Sequence, residues 1–188
     1  MPALRFISSV PTLKGKTAIL RVDTDVDLIG DKIVDDTRLR SLLPTLKMLH
    51  EKGADVNIIG HLGRPEGEDP KFTLRPIALW LGNELDGKVD SVSIGRLMGW
   101  KIGEHTNLVE NIRFFPEEEK NDEEFSRELA LLGDIYVNDA FAVSHREHAS
   151  IVGVTKFLPS YAGFHLQKEI EILSKILNNP KRPLASCK

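Results

Sequence analysis

Cysteine is nearly absent from this 188-residue chain: the one present, Cys187, sits one residue from the end. An internal disulfide and a cysteine-based metal site are thereby excluded, and a reducing compartment is the expected home. Aromatic residues are also scarce, at 6%. No apolar run approaches the roughly 20 residues a membrane span needs. The opening MPALRFISSV is short and soon interrupted by Pro11 and Lys14, so it does not read as a signal peptide, and a cytoplasmic protein without a membrane partner is expected. Positive charge is not in excess: the formal net charge is -3, which argues against a nucleic-acid partner, since such a partner requires many phosphates to be neutralised. Phosphate-cradling signatures are missing as well. There is no G-x-x-x-x-G-K-[ST] loop, no G-x-G-x-x-G after the first apolar run and no serine nucleophile elbow.

What remains is the composition of a single globular domain, with 41% hydrophobic and 28% charged residues. Short β-branched runs alternate with longer stretches of helical periodicity, the pattern of βαβ units. An α/β fold is expected: a three-layer αβα, Rossmann-like parallel sheet in one domain. Strands are predicted at Thr17 to Val22, Ala54 to Gly60, Asn107 to Ile112 and Asp134 to Asn138, with a weaker one at Lys88 to Ser93. Thr37 is the expected cap of a helix through Leu39, Leu42, Leu46 and Leu49, ended by Gly53 and bent at Pro44. Further helices are predicted from about Leu74 to Leu85, from about Asp122 to Leu132 with Glu117, Glu118 and Glu119 favouring its N-terminal approach, and from about Phe164 to Leu177 before Pro180.

In an open parallel sheet, ligands bind beyond the carboxyl ends of the strands. After the first strand comes Arg21-Val22-Asp23-Thr24-Asp25; after the second, His61-Leu62-Gly63-Arg64; on the third, Glu110-Asn111-Ile112-Arg113; after the fourth, Asn138-Asp139, then Ser144-His145-Arg146-Glu147-His148. Arg38 joins from the run after Val34. Arginines gathered at one edge repel one another unless an anion satisfies them, and guanidinium suits phosphate and carboxylate oxygens. A small, multiply charged anion accounts for the whole set. The alternative is that each arginine pairs locally, with Asp23, Asp36, Glu110 or Glu147. No metal is expected: His145 and His148 are three apart, without a further ligand at a familiar spacing. His50, His105 and His165 read as surface or helix residues.

Taken in order, RVDTDVD at 21 to 27, DDTRLRSLLPTLKMLHEKGADV at 35 to 56, GHLGRPEG at 60 to 67, LVENIRFFPEEEKND at 108 to 122, DIYVNDAFAVSHREHAS at 134 to 150 and KFLPSYAGFHLQKEIEILSKILNNPKRP at 156 to 183 resemble the phosphoglycerate kinase family. The resemblance implies the N-terminal half of a two-domain hinge enzyme that moves a phosphoryl group between 1,3-bisphosphoglycerate and ADP with magnesium. Residues 1–163 would be the substrate-binding domain, and residues 164–188 the start of the interdomain helix and a truncated connection to a missing nucleotide domain. Mg-ATP or Mg-ADP would bind that other domain, with no cofactor on this chain, which alone would be inactive; a monomer is expected. The implied substrate site comprises Arg21, Asp23, Asp25, Arg38, His61, Leu62, Gly63, Arg64, Arg113, His145, Arg146 and His148. Arg38 would be the catalytic residue beside the transferred group, Arg21 would brace the loop through Asp23, Asp23 and residue 25 would meet the hydroxyl and carboxylate end, and Arg64, Arg113 and Arg146 would grip the remaining phosphate of 3-phosphoglycerate.

The chain departs from the family pattern D-F-N-x-P at Asp23-Thr24-Asp25-Val26-Asp27, where a carboxylate replaces an amide, and at Ala142-Val143-Ser144, where Gly-Thr-Ala is common. An ionised Asp offers only acceptors. Two other readings therefore stand beside the first: a stand-alone module that kept the fold and lost the ligand, and an α/β protein for a different phosphosugar or nucleotide.

Overall fold

A computed structural model describes residues 4–178. Four apolar runs become parallel strands at the centre of a seven-stranded sheet: Thr17–Arg21 (β1), Asp55–Ile59 (β4), Thr106–Val109 (β7) and Ile135–Asn138 (β8), with Ser160–Ala162 (β9) parallel at one edge. Their side chains are buried on both faces, which is why they read as continuous apolar runs. Ala18 and Leu20 of β1 enter one core cluster and Ile19 the other, as the period-two alternation of a strand demands. The first cluster contains Leu39, Leu42, Leu46 and Leu49 of the helix Thr37–Glu51 (α1) and Ile77 and Leu81 of Arg75–Glu84 (α2). The second contains Phe125 and Leu129 of Glu123–Ala130 (α4), which follows the short helix Pro116–Glu119 (α3). The expected three layers result.

The sheet is not wholly parallel. Val89–Ile94 (β5) and Leu97–Ile102 (β6) form a hairpin around Gly95, at φ 61°, and β6 also runs antiparallel to β7, giving the order β5-β6-β7-β4-β1-β8-β9. Leu28–Ile29 (β2) and Lys32–Ile33 (β3) make a separate two-stranded ribbon. The strand predicted to reach Ile112 stops at Val109, because Asn111 accepts a hydrogen bond from the Arg113 backbone and bends residues 112–114 into a 3-10 turn.

Helix boundaries differ in instructive ways. Thr37 is the first residue of α1, not its cap; Asp36 holds the cap position, while Asp35 accepts from Thr37 N at 2.8 Å and from its hydroxyl at 2.6 Å. Helix α1 runs through Pro44, and Gly53 follows it at φ 84°, a conformation that needs no Cβ. The acidic run at 117–119 forms α3, and α4 is capped instead by Asp122, which accepts from Phe125 N at 2.9 Å. The last helix, Phe164–Asn178 (α5), leaves Ile172, Leu173, Ile176 and Leu177 exposed. Pro180, Lys181-Arg182-Pro183 and Cys187 lie outside the described residues. Among the described residues, no helix is long and apolar enough to cross a membrane.

Candidate functional site

The pairing of β1 with β4 and β8 sets Arg21 beside Ile59 and Asn138, so the loops leaving three strands meet at one edge. The loop after β4 is held by side chains from its neighbours. Thr24 donates its hydroxyl proton to the His61 carbonyl at 2.7 Å, Asn111 donates to the Leu62 carbonyl at 2.8 Å, and Arg113 donates to the Gly63 carbonyl at 2.6 Å. Asp25 Oδ1 accepts from Gly63 N at 2.8 Å. Gly63 adopts φ 63°, and an added Cβ would lie 2.3 Å from the Phe72 ring. The expected site residues Asp25, His61, Leu62, Gly63 and Arg113 are thus brought together.

Arg21 is 1% exposed. Its Nε donates to Ser150 Oγ at 3.1 Å, Nη1 to the Val22 carbonyl, and Nη2 to His61 Nδ1 at 3.1 Å. The brace expected through Asp23 is not among these bonds: the side chain runs into the protein, and Asp23 turns to Arg38. A guanidinium only donates, so His61 Nδ1 accepts and the neutral ring carries its proton on Nε2. That atom lies 3.8 Å from Asp25 Oδ2. Burial foremost, and then the charges of Arg21, Arg113, Arg146 and His148, lower the His61 pKa to about 2. Burial also lowers the Arg113 pKa, partly offset by Glu119, whose carboxylate is 3.4 Å from Arg113 Nε.

Beneath the crevice lies a carboxylate that the sequence did not single out. Glu118, 1% exposed, accepts from Ser150 N at 2.8 Å and from Ser150 Oγ at 2.5 Å, and its Oε1 lies 3.7 Å from His148 Nδ1. Tyr136 donates to the Ser150 carbonyl at 2.6 Å, and burial raises its pKa. Nothing in the acidic run distinguishes Glu118 from Glu117 or Glu119. Only the tertiary fold shows that its side chain points inward.

The other expected residues take different places. Arg38 is exposed and donates to Asp23 Oδ2 at 3.2 Å and to the Asp25 carbonyl at 3.1 Å; it shares a depression with Asp25, Asp27 and Asp35. Arg64 is exposed beside Arg113 and Lys120. Arg146 is half-buried, with Nε enclosed and no hydrogen-bond partner among the described residues. His145 is exposed, and no bond ties it to the cluster among the described residues. Local ion pairing explains only part of the arginine set. Asp23 pairs with Arg38, but Asp36 pairs with Arg40, and Glu110 accepts from Thr73, Leu74 N and Asn111 N instead of meeting an arginine. Two depressions result: one lined by Arg64, Arg113 and Lys120 together with Glu66 and Glu119, the other by Arg38 with Asp25, Asp27 and Asp35. His50 and His105 lie elsewhere, bonded to Thr106 and Asp55.

Known proteins share this architecture. A curated phosphoglycerate kinase of Nostoc punctiforme is 48% identical over 182 residues, covering 93% of this chain and 46% of the relative; the cytosolic phosphoglycerate kinase of Triticum aestivum is likewise 48% identical, covering 93% and 45%. The solved phosphoglycerate kinase from Coxiella burnetii superposes with a TM-score of 0.85 at 35% identity, over 96% of this chain and 47% of that one. The chain therefore spans about half the length of the relatives it matches. With the phosphoglycerate kinase family model matching residues 7–187, the chain belongs to the phosphoglycerate kinase family.

Proposed function

We propose that this chain is the phosphoglycerate-binding half of a cytoplasmic, monomeric phosphoglycerate kinase acting in glycolysis, taking 3-phosphoglycerate or 1,3-bisphosphoglycerate in the crevice at the strand ends. The observation that carries this reading is the pair of cations Arg113 and Arg146 close enough to act on the neutral His61 donor, with Arg64 exposed beside Arg113. These groups match the phosphate that stays on the substrate. Asp23 and Asp25 meet the hydroxyl and carboxylate end. Arg38, exposed and steered by Asp23, faces the group to be transferred, where its fixed charge stabilises the charge developing in the transition state. His145 and His148 complete the basic rim.

The magnesium nucleotide belongs, in this proposal, to a second domain such as the remaining half of the relatives. Among the described residues there is no group of three or more His, Cys, Asp or Glu side chains able to hold a metal ion. Phosphoryl transfer requires both reactants to be positioned, so the half alone binds substrate without turning it over. Titration of the 15N-labelled chain with 3-phosphoglycerate tests this. Saturable shifts at His61 and Arg113, weakened by salt and by Arg64→Ala, are expected; unchanged signals at both residues would refute the assignment.

A further inference from the structure

Two charged side chains buried to 1% exposure, Arg21 and Glu118, do not touch each other; the Ser150 hydroxyl stands between them. Burying two opposite charges contributes little net stability once desolvation is counted, so their consequence lies in what they orient. Here the chain of bonds has direction. Glu118 Oε1 takes the Ser150 hydroxyl proton, which leaves a Ser150 lone pair for Arg21 Nε and turns Arg21 Nη2 onto His61 Nδ1. Glu118 Oε2 takes the Ser150 backbone proton at the start of the wide π-helical turn Ala149–Gly153, and Oε1 faces His148. One carboxylate thereby reaches histidines on two loops that approach the crevice from different strands.

We propose that Glu118 is a positioning residue for the phosphate-binding end of the site: through Ser150 and Arg21 it locks His61 in the Nε2–H tautomer as a neutral donor, and directly it anchors His148. The proposal deepens the phosphoglycerate reading and rests on it for the ligand alone. A neutral donor held beside arginines avoids adding like charge to a cationic site, yet can still bond a phosphate oxygen. Without the relay, His61 Nδ1 has no fixed donor, and the ring exchanges between tautomers. The other charged groups around His61, namely Asp25, Arg113, Arg146 and His148, leave Nδ1 without a substitute partner, since Asp25 faces the opposite nitrogen.

The experiment is long-range 1H–15N spectroscopy of the histidine rings in the full 188-residue chain, with Glu118→Gln and Ser150→Ala as variants and 3-phosphoglycerate as the ligand. Wild-type His61 should show a bare Nδ1 and a protonated Nε2 across neutral pH. Either variant should show a tautomer mixture with an unchanged backbone spectrum outside the site, and about tenfold weaker binding of 3-phosphoglycerate. A proton on Nδ1 in the wild type overturns the proposal even if neither variant folds. A folded Glu118→Gln protein whose His61 signals match the wild type overturns it too. If the wild type fails to bind 3-phosphoglycerate, the phosphoglycerate reading fails, and the tautomer signals still decide the role of Glu118.

Discussion

Replacing His61 with glutamine isolates the acid sensitivity of one buried ring. In the folded chain the ring stays neutral down to about pH 2, because burial and then the charges of Arg21, Arg113, Arg146 and His148 oppose its protonation. In the unfolded chain it takes up a proton near pH 6.5. Below that value the unfolded state binds more protons than the folded one, so stability falls as pH falls. The loss continues until the folded pKa is reached. Each pH unit well below 6.5 costs about 1.4 kcal/mol, and integration from pH 7 to pH 5 gives about 2 kcal/mol. This figure hardly depends on how far below pH 5 the folded value lies. Glutamine retains an acceptor for Arg21 and a donor for the crevice but does not titrate. Urea unfolding of both proteins at pH 7 and pH 5 measures the difference, and the wild type should lose about 2 kcal/mol more than His61→Gln over that range. Losses that agree within about 0.5 kcal/mol would mean that the folded ring titrates normally, and the electrostatic account of the crevice would be wrong.

Three further outcomes follow from the same geometry. Asp25→Asn keeps the acceptor for Gly63 N and removes a negative charge beside the crevice, so calorimetry should find 3-phosphoglycerate bound severalfold more tightly, with the gain shrinking in salt; equal or weaker binding contradicts this. Gly63→Ala combines φ 63° with a Cβ 2.3 Å from the Phe72 ring and should lower stability by about 2 kcal/mol or more in denaturant melts. Asp139 is 3% exposed and its pKa is raised, first by burial, so the folded state favours the protonated form and the cost of ionisation is present above the folded pKa and fades as pH falls toward 3.8. Relative to Asp139→Asn, the wild type should therefore gain stability between pH 7 and pH 4, and a constant difference across thermal melts would count against that reasoning.

The central strands were legible because burial on both faces leaves an unbroken apolar run, as in Ala18, Ile19 and Leu20. Strand β6 was not. Its sequence LMGWKI carries Gly99, whose missing Cβ allows the Leu108 carbonyl to approach a position that a side chain would occupy at 2.3 Å, and glycine weakens a strand signal for the same reason it is needed here. Strand β9 is three residues long and has no period to read. That Arg21 and Arg113 lie against the loop from His61 to Gly63 was legible from their positions at strand ends. Their partners were not, because Arg21 to Ser150 and Glu118 to Ser150 join residues 129 and 32 positions apart, and no local pattern encodes such a contact.

Those long contacts explain how a site made of loops can hold a fixed shape. The backbone from His61 to Gly63 runs past the end of β4 without a strand partner, yet its carbonyls and the Gly63 N–H are met by Thr24, Asn111, Arg113 and Asp25. Each such group left unmet in a buried place would cost about 1–3 kcal/mol, so the loop geometry is enforced by several independent contacts. All four donors and acceptors come from the segments that follow β1 and β7, the two strands hydrogen-bonded to β4. A one-residue slip of either pairing would move these side chains away from the loop and send each core residue to the opposite face of the sheet, into the wrong cluster. The register that buries Ile19 and Ile58 is therefore the register that places Asp25 against Gly63, and the crevice inherits its rigidity from the sheet.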